Sequence, residues 1–325
     1  MTTSIVTPGA APEPEAPVHV TQVTESVSEA KLVFQRFIHH KAAMIALVVL
    51  LAILVFALTS IGAFGFHGWW PLSYATTGPV IDGGKPTLHF SLSPLSFSAG
   101  EHPFGQDDLG RDYFAIVMRG CQQSLLIAVT MGLTGTVVGV IIGSIAGYFR
   151  GWVEAVLMRL TDVVLTLPTL VVAAFIGRRI GSLGVVPLGL FLGLVSWTSL
   201  ARMVRGQFLS LREKEFVEAA RSVGAGPFRI IFRHILPNSV GIIIVNATLS
   251  IASAIILEAA LSFLGFGVKP PDTSLGQVIG LYRQAMDTRP WLFWWPGLLI
   301  VAIALTVNFI GDGLRDAFDP QQDRG

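Results

Sequence analysis

The sequence predicts an all-α integral membrane protein with six transmembrane helices. Hydrophobic residues make up 52% of the 325-residue chain and charged residues only 13%, whereas soluble domains carry about 25% charged residues. The mean hydropathy is +0.65. The apolar residues fall in separate runs, each long enough to cross the roughly 30 Å hydrocarbon core of a bilayer as a helix of about 20 residues.

Six apolar runs meet this length requirement. The second and third are joined by only a few residues, and the fifth is the longest. Together they make residues 31–318 a transmembrane domain. The predicted spans are 42–63, 122–147, 154–177, 185–203, 239–265 and 293–313.

The N-terminal segment, residues 1–30, has the composition of a disordered tail. It contains no Lys or Arg and carries four Glu among Pro, Ala, Thr, Ser and Val. A secretory signal needs a positively charged start and a small-residue cleavage site, so this segment does not fit one. We expect a weakly acidic, disordered tail and a short polar C-terminal segment, residues 319–325.

The distribution of Lys and Arg predicts the orientation in the membrane. Lys31, Arg36 and Lys41 flank the first span. An even number of spans places both termini on one side, so the tail, the segment 204–238 and the C-terminus are expected in the cytoplasm. Arg178 and Arg179 fall on the outside and weaken the bias. The segment between spans four and five is the most basic, with Arg202, Arg205, Arg212, Lys214, Arg221, Arg229 and Arg233.

Four glycines of the second span are spaced four residues apart. Gly135, Gly139, Gly143 and Gly147 therefore share one stripe of the helix, where another backbone can approach closely. This pattern predicts a tight packing seam. An internal seam is favoured over a seam with a partner chain.

The charged segment 204–238, which we call the insert, reads as two short amphipathic helices. Residues 211–223 contain no helix breaker, and an apolar stripe recurs at helical spacing. Gly224 suits a helix C-terminus that needs a positive φ. The stripe is formed by Phe216, Ala219, Ala220 and Val223.

The second helix of the insert begins at Pro227, a residue suited to the first turn of a helix. Its apolar residues lie opposite Arg229 and Arg233, and Pro237 suits the first turn of the fifth span. The pair fits an element that docks in a groove of a partner, and a loop lying on lipid headgroups is the alternative. The apolar residues are Phe228, Ile231, Phe232 and Ile235.

The insert resembles the EAA loop of ABC-importer permeases. The matching residues are Glu218-Ala219-Ala220, then Gly224 after three residues, and finally Ile235-Leu236-Pro237. In that family the loop inserts into a cleft of a cytoplasmic ATPase. The resemblance therefore implies an ATPase-coupling role for Phe216, Glu218, Ala219, Ala220, Val223, Gly224, Phe228, Ile231 and Pro237. His234 stands where the general pattern has Ile, but His-Ile-Leu-Pro is common in the peptide branch.

Further segments resemble the oligopeptide, dipeptide and nickel branch of these permeases. They occur in order across residues 30–318, and they begin with the stretch 102–112 before the second span. Gln122, Arg150 and Leu275 depart from the branch pattern and leave the substrate open. The other matching segments are 146–148, 158–162 with Pro168, and 258–267 with 270–271 and 274–276.

The resemblance implies a type I ABC-importer permease fold and a multi-pass plasma-membrane subunit. It also implies a second, similar permease subunit, two cytoplasmic ATPases that bind ATP and Mg, and an extracytoplasmic binding protein. Short peptides are the leading substrate. Nickel, haem or another small solute stays open, and so do an ion-gradient-driven secondary transporter and a membrane receptor or scaffold.

Two acidic residues lie within predicted spans, where a charge is unfavourable unless it faces the bundle or a wet cavity. Asp162 is within reach of Arg159 one turn back, which favours a structural pair over a pathway residue. Glu258 has no positive residue within a turn, and a role in the pathway or outer gate is as plausible as a structural one. Which role either residue has stays open.

Nothing in the sequence indicates catalysis, a bound cofactor or a metal site. None of the five lysines has the context of a P-loop, so we expect no ATP site of that type in this chain. Asp107, Asp108 and Asp112 lack EF-hand spacing, and a turn with Arg111 pairing an Asp is favoured. A single cysteine, Cys121, allows no intrachain disulfide. With a net charge of +1 and no basic patch, no nucleic-acid partner is indicated.

Overall fold

The computed structural model describes residues 29–63, 65–92 and 95–319. The prediction for the tail therefore lies outside the described residues except at its last two positions, which begin a helix. The predicted helical class is confirmed: the described chain contains twelve α-helices and one β-hairpin. Four single helices are long and apolar enough to cross a membrane. Two bent helix pairs raise the number of spans to six if each pair is counted as one span.

The first helices correspond to the predicted first two spans. Helix α1 (Glu29–His39) lies before α2 (Lys41–Ser60). Helix α3 (Tyr113–Phe149) begins nine residues before the predicted 122–147. The reason is a side-chain cap, because the Asp112 carboxylate accepts a 2.8 Å hydrogen bond from the Ala115 amide.

The predicted third and fourth spans are each broken into two helices. Helices α4 (Gly151–Thr166) and α5 (Thr169–Ile180) meet at 84°. The break falls at Leu167-Pro168, since the residue before a proline is disfavoured in helical conformation. Helices α6 (Val185–Ser196) and α7 (Thr198–Leu211) meet at 49°. The fourth span therefore reaches eight residues past its predicted end.

The insert contains helices α8 (Glu215–Ser222) and α9 (Pro227–Ile230), and α9 runs into a π-helical turn, Ile231–Ile235. Helix α10 (Leu236–Phe263) continues from that turn, so Pro227–Phe263 forms one 37-residue helical stretch. Pro237 lies in the first turn of α10, as predicted, but the helix before it does not end there. The Leu236 amide bonds the Ile231 carbonyl five residues back, and this wider turn accommodates a proline without breaking the helix.

The remaining elements are short except for the last helix. Helix α11 (Leu275–Tyr282) precedes α12 (Trp291–Phe318), which corresponds to the predicted 293–313. Strands β1 (Leu88–Leu92) and β2 (Leu95–Ala99) pair antiparallel in the long loop between α2 and α3. This hairpin was not predicted from the sequence.

The bundle has two ends that carry different chemistry. At one end, the insert end, His40 lies 3.3 Å from Asp316, and a side chain at Gly241 would meet Phe318. The start of α2, the insert and the end of α12 therefore lie together. At the opposite end, the loop end, the Tyr113 hydroxyl donates to the Leu292 carbonyl. The loops before α3 and before α12 meet there.

Candidate functional site

The insert has an inner apolar face that packs against the bundle. Val217 is fully buried on α8 and shares an apolar cluster with Tyr148 of α3 and with Val204 and Phe208 of α7. Helix α9 and the π turn contribute three isoleucines to the same cluster. These buried residues are Ile230, Ile231 and Ile235. The insert is therefore a folded part of the bundle at the insert end.

A glycine turn joins the two helices of the insert, as the sequence predicts. Gly224 has a φ of +84°, in the left-handed region. Its amide donates to the Arg221 carbonyl at 3.0 Å, and the Ala225 amide donates to the Ala220 carbonyl at 3.0 Å. This pattern closes α8 as a Schellman-type C-cap. Pro227 is the first residue of α9, also as predicted.

The outer face of the insert exposes large apolar side chains. Phe216 is 40% exposed, Val223 85%, Phe228 72% and Phe232 64%. We call these four residues the outer apolar set. Apolar groups of this size gain free energy when they leave water, about 1.5–3 kcal/mol for full burial of each, so the set is suited to contact with lipid or a partner.

Both predicted apolar stripes are divided between the two faces. Ala220 is buried whereas Phe216 and Val223 are exposed, and Ile231 is buried whereas Phe228 is exposed. The prediction that each stripe forms one exposed docking face is therefore wrong at Ala220 and Ile231, because the bundle already packs against these two residues. Glu218, Ala219, Gly224 and Pro237 are exposed.

Charged side chains that the sequence analysis did not pair fix the insert to the bundle. The Arg212 guanidinium donates to the Tyr148 carbonyl and lies 5.5 Å from the centre of the Tyr148 ring. Arg150 pairs with Glu213. Arg and carboxylate residues far apart in sequence gave no local pattern from which these contacts could be predicted.

Asp162 forms an ion pair, but with a different partner from the one predicted. Its carboxylate lies 2.6 Å from Arg202 on α7, not against Arg159. Both side chains are about half exposed, so the pair joins α4 to α7 at the surface of the isolated chain. Arg205 pairs with Glu154 between the same two helices.

Glu258 is fully buried among hydroxyl groups. It accepts hydrogen bonds from Ser124 at 2.9 Å and from Ser262 at 2.7 Å. The Ser124 hydroxyl also accepts from the Leu275 amide at 3.1 Å. The carboxylate thus joins α3, α10 and the start of α11. In this conformation it does not line an opening, which favours its structural role.

The acidic run before α3 forms a turn, as the sequence predicts. Asp107 pairs with Arg111 at 2.6 Å and accepts a 3.0 Å hydrogen bond from the Tyr282 hydroxyl. Asp112 also lies within 2.8 Å of the His102 ring nitrogen and accepts from Trp70 at 2.9 Å. Among residues 29–63, 65–92 and 95–319, no group of three or more His, Cys, Asp or Glu could hold a metal ion.

The glycine stripe of α3 is an internal seam, as predicted. A side chain at Gly139 would lie 2.9 Å from the Trp197 carbonyl, and one at Gly143 would lie 2.5 Å from the Ala201 carbonyl. A side chain at Gly147 would lie 2.6 Å from Phe208. Helix α3 therefore packs backbone to backbone on α7, the helix that supports the insert.

Comparison with known families decides the class of protein. The family described as binding-protein-dependent transport system inner membrane component matches residues 139–324, a range that contains the whole insert. The N-terminal TM domain of oligopeptide transport permease C matches residues 28–74.

The chain belongs to this permease family. It is a multi-pass membrane protein and a C-type ABC-importer permease subunit of the oligopeptide branch, with the type I permease fold. The two matched regions leave residues 75–138 between them, which comprise most of the loop between α2 and α3 and the first 26 residues of α3.

Individual relatives extend across nearly the whole permease. This chain is 37% identical over 305 residues to the oligopeptide transport system permease protein OppC of Mycobacterium bovis. The alignment covers 92% of this chain and 97% of that protein. The Escherichia coli K12 protein of that name is 37% identical over 295 residues, 88% of this chain and 89% of the relative. A Brucella ovis protein, provisionally named a peptide permease, is 40% identical over 292 residues, 88% of this chain and 89% of the relative.

Proposed function

We propose that this permease is one half of the membrane pathway of an ATP-driven importer for short peptides, and that its insert couples the pathway to cytoplasmic ATPases. The outer apolar set supports this proposal most directly. Its four side chains are exposed although the inner face of the same insert is buried. A rigid support with an exposed apolar surface fits docking in a protein cleft.

The charges and the contacts at the insert end support an orientation with this end in the cytoplasm. Lys31 and Arg36 lie in α1 and Lys41 is the first residue of α2, and the insert adds further basic residues. The contact of His40 with Asp316 brings the start of α2 and the end of α12 together at the insert end. An ATPase could then reach the insert, and an extracytoplasmic binding protein could reach the loop end.

The continuous helix that follows the insert supplies a path for coupling. In the proposed cycle, ATP binding moves the two ATPases together, and the outer apolar set moves with them. Phe228 belongs to the same helical stretch as Glu258, so movement at the insert is carried to the loop end. The second permease subunit and the two ATPases complete the pathway, and ATP and Mg are bound by the ATPases.

The names of the relatives support a peptide substrate. Two of the residues that depart from the branch pattern, Gln122 and Leu275, make structural contacts within the permease. Gln122 donates to the carbonyls of Ala57 at 2.7 Å and Gly62 at 3.0 Å, and Leu275 is fully buried. Nickel, haem or another small solute are the alternative cargoes. Bent or broken helices also occur in secondary transporters. Membership of an ABC-importer family nevertheless favours ATP over an ion gradient as the energy source.

Uptake by the reconstituted complex, with its partner subunits and a panel of short peptides, tests the proposal. We expect uptake to require ATP and to persist without an ion gradient. Gly224→Val and Glu218→Lys should abolish uptake without preventing membrane insertion. Gly226→Val is the matched control for the glycine, because its φ is −74° and an added Cβ would meet no atom within 4 Å.

Three results would contradict parts of the proposal. Normal uptake in Gly224→Val and Glu218→Lys would exclude coupling through the insert. Uptake driven by an ion gradient without ATP would favour a secondary transporter. Uptake of nickel or haem in place of every peptide tested would leave the coupling intact and change the substrate.

A further inference from the structure

We propose that the permease holds a phospholipid acyl chain in an apolar groove between α2, α3 and α12, near the loop end. The groove has a volume of about 240 Å³, which exceeds the roughly 150 Å³ of an engineered apolar cavity that binds benzene. We call it the acyl groove. It is lined by Ile53 and Phe56 of α2, Met118 and Cys121 of α3, and Trp295 and Ala302 of α12.

The acyl groove has a closed floor and a closed loop end. Met118 and Cys121 of α3 are 3% and 0% exposed and form the floor. The rings of Phe104 and Trp295 stack with centroids 4.0 Å apart and an interplanar angle of 6°. Phe104 precedes α3 and Trp295 is in the first turns of α12, so this stacked pair bounds the groove at the loop end.

The mouth of the groove opens on the surface of the bundle that faces hydrocarbon. Phe56 is 45% exposed and Leu298 55% exposed. Leu298 also begins an exposed apolar stripe along α12 that continues with Val301, Leu305 and Phe309. In a multi-pass membrane protein an apolar stripe of this kind contacts lipid tails. The groove is therefore continuous with the surface that lipid covers.

Water is a poor occupant of this groove. A buried water needs two to four polar partners, and the lining side chains present almost no polar surface. An unfilled groove would leave its lining without dispersion contacts on one side. A flexible hydrocarbon chain from the adjoining leaflet supplies those contacts without a polar partner.

The packing of α2 gives the acyl chain a structural role. The buried residues of α2 lie near its two ends, Ala43 and Ala46 at one and Ala57 and Ser60 at the other. Between them the helix has no buried residue, and Ile53 borders the groove. Ile53 already packs against the core, and a bound chain adds contacts between the middle of α2, α3 and α12.

Native mass spectrometry of the permease purified with its partner subunits tests the proposal. Wild type should retain a bound phospholipid, and Ala302→Phe should lose it because the new ring fills the groove. Leu305→Phe is the matched control, since it places the same ring on the exposed stripe of α12 and should retain the lipid. Equal lipid retention in wild type and Ala302→Phe would overturn the proposal.

A second measurement does not depend on the folding of Ala302→Phe. The complex is reconstituted with phospholipids brominated on the acyl chain, which quench nearby tryptophans. The quenched signal should be smaller in Trp295→Phe than in wild type, and this variant retains a ring to stack on Phe104. Identical quenching would mean that Trp295 is covered by a partner subunit, and the proposal would fail. Neither measurement requires transport, so failure here leaves the proposed function unaffected.

Discussion

Replacing Gly143 by Ala should destabilise the permease, whereas the same replacement at Gly206 should not. The added methyl at Gly143 would lie 2.5 Å from the Ala201 carbonyl and 2.8 Å from Cβ of Val204, so α3 and α7 must separate. Overpacking of this kind costs about 1–3 kcal/mol. Alanine returns about 1 kcal/mol of helix propensity, which leaves a net loss of up to about 2 kcal/mol in the free energy of unfolding.

Gly206 is the matched control because it lies in α7 and is exposed. An added Cβ there would meet no atom within 4 Å. Only the propensity term remains at this position, so Gly206→Ala should raise the free energy of unfolding by up to about 1 kcal/mol. The two substitutions therefore have opposite expected signs although their chemistry is identical.

The single cysteine supplies an assay for this comparison. Cys121 is fully buried beside the acyl groove, so a thiol-reactive fluorophore should label it only when the helices separate. Heating the detergent-solubilised permease with such a fluorophore should give a Tm a few degrees lower for Gly143→Ala and an unchanged or higher Tm for Gly206→Ala. A Tm for Gly143→Ala at or above wild type would refute the close approach of α3 and α7.

Two further predictions concern the polar contacts of the loop end. Ser124→Ala should lower the Tm, because it leaves Glu258 without one hydrogen-bond donor and the Leu275 amide without its acceptor. The expected loss of stability is about 1–3 kcal/mol for each buried group. Ser144→Ala is the control and should change the Tm little, because the Ser144 hydroxyl bonds a carbonyl of its own helix. Burial and then the Asp107 carboxylate raise the pKa of Tyr282 above its usual value, so its stabilising contribution is complete below about pH 10 and is lost as the pH rises further. Tyr282→Phe should therefore show a lower Tm at neutral pH but a shallower fall above pH 10, and a slope equal to that of wild type would contradict this reasoning.

Apolar runs predicted where the membrane helices lie because length and hydropathy are local properties of the sequence. The breaks within the predicted spans were harder to predict from the sequence. Pro168 marks the 84° bend of α4 against α5, since proline restricts the residue before it. The 49° bend at Trp197 has no such residue, and no local pattern distinguishes it from a continuous span. The early start of α3 depends on a cap by Asp112, a residue that the sequence pattern assigned only to a turn.

The candidate site shows a similar division between local and long-range information. The Gly224 turn was predictable because a positive φ strongly favours glycine. The partner of Asp162 was not, because Arg202 is 40 residues away and Arg159 is one turn away. The inner and outer faces of the insert could not be predicted either, because an apolar stripe in the sequence does not show whether the bundle or a partner covers each residue.

Pro237 illustrates how a local rule and the folded structure can differ with consequences for mechanism. Proline lacks an amide hydrogen and normally begins a helix or breaks one. Here the π turn Ile231–Ile235 widens the helix just before it, and the helix continues from Pro227 to Phe263. Phe228 and Glu258 are thus on one element, roughly 45 Å apart at 1.5 Å per residue. Under the proposed coupling, a displacement of the insert either moves α10 as a rigid body or is absorbed at the π turn, the irregular turn within that stretch.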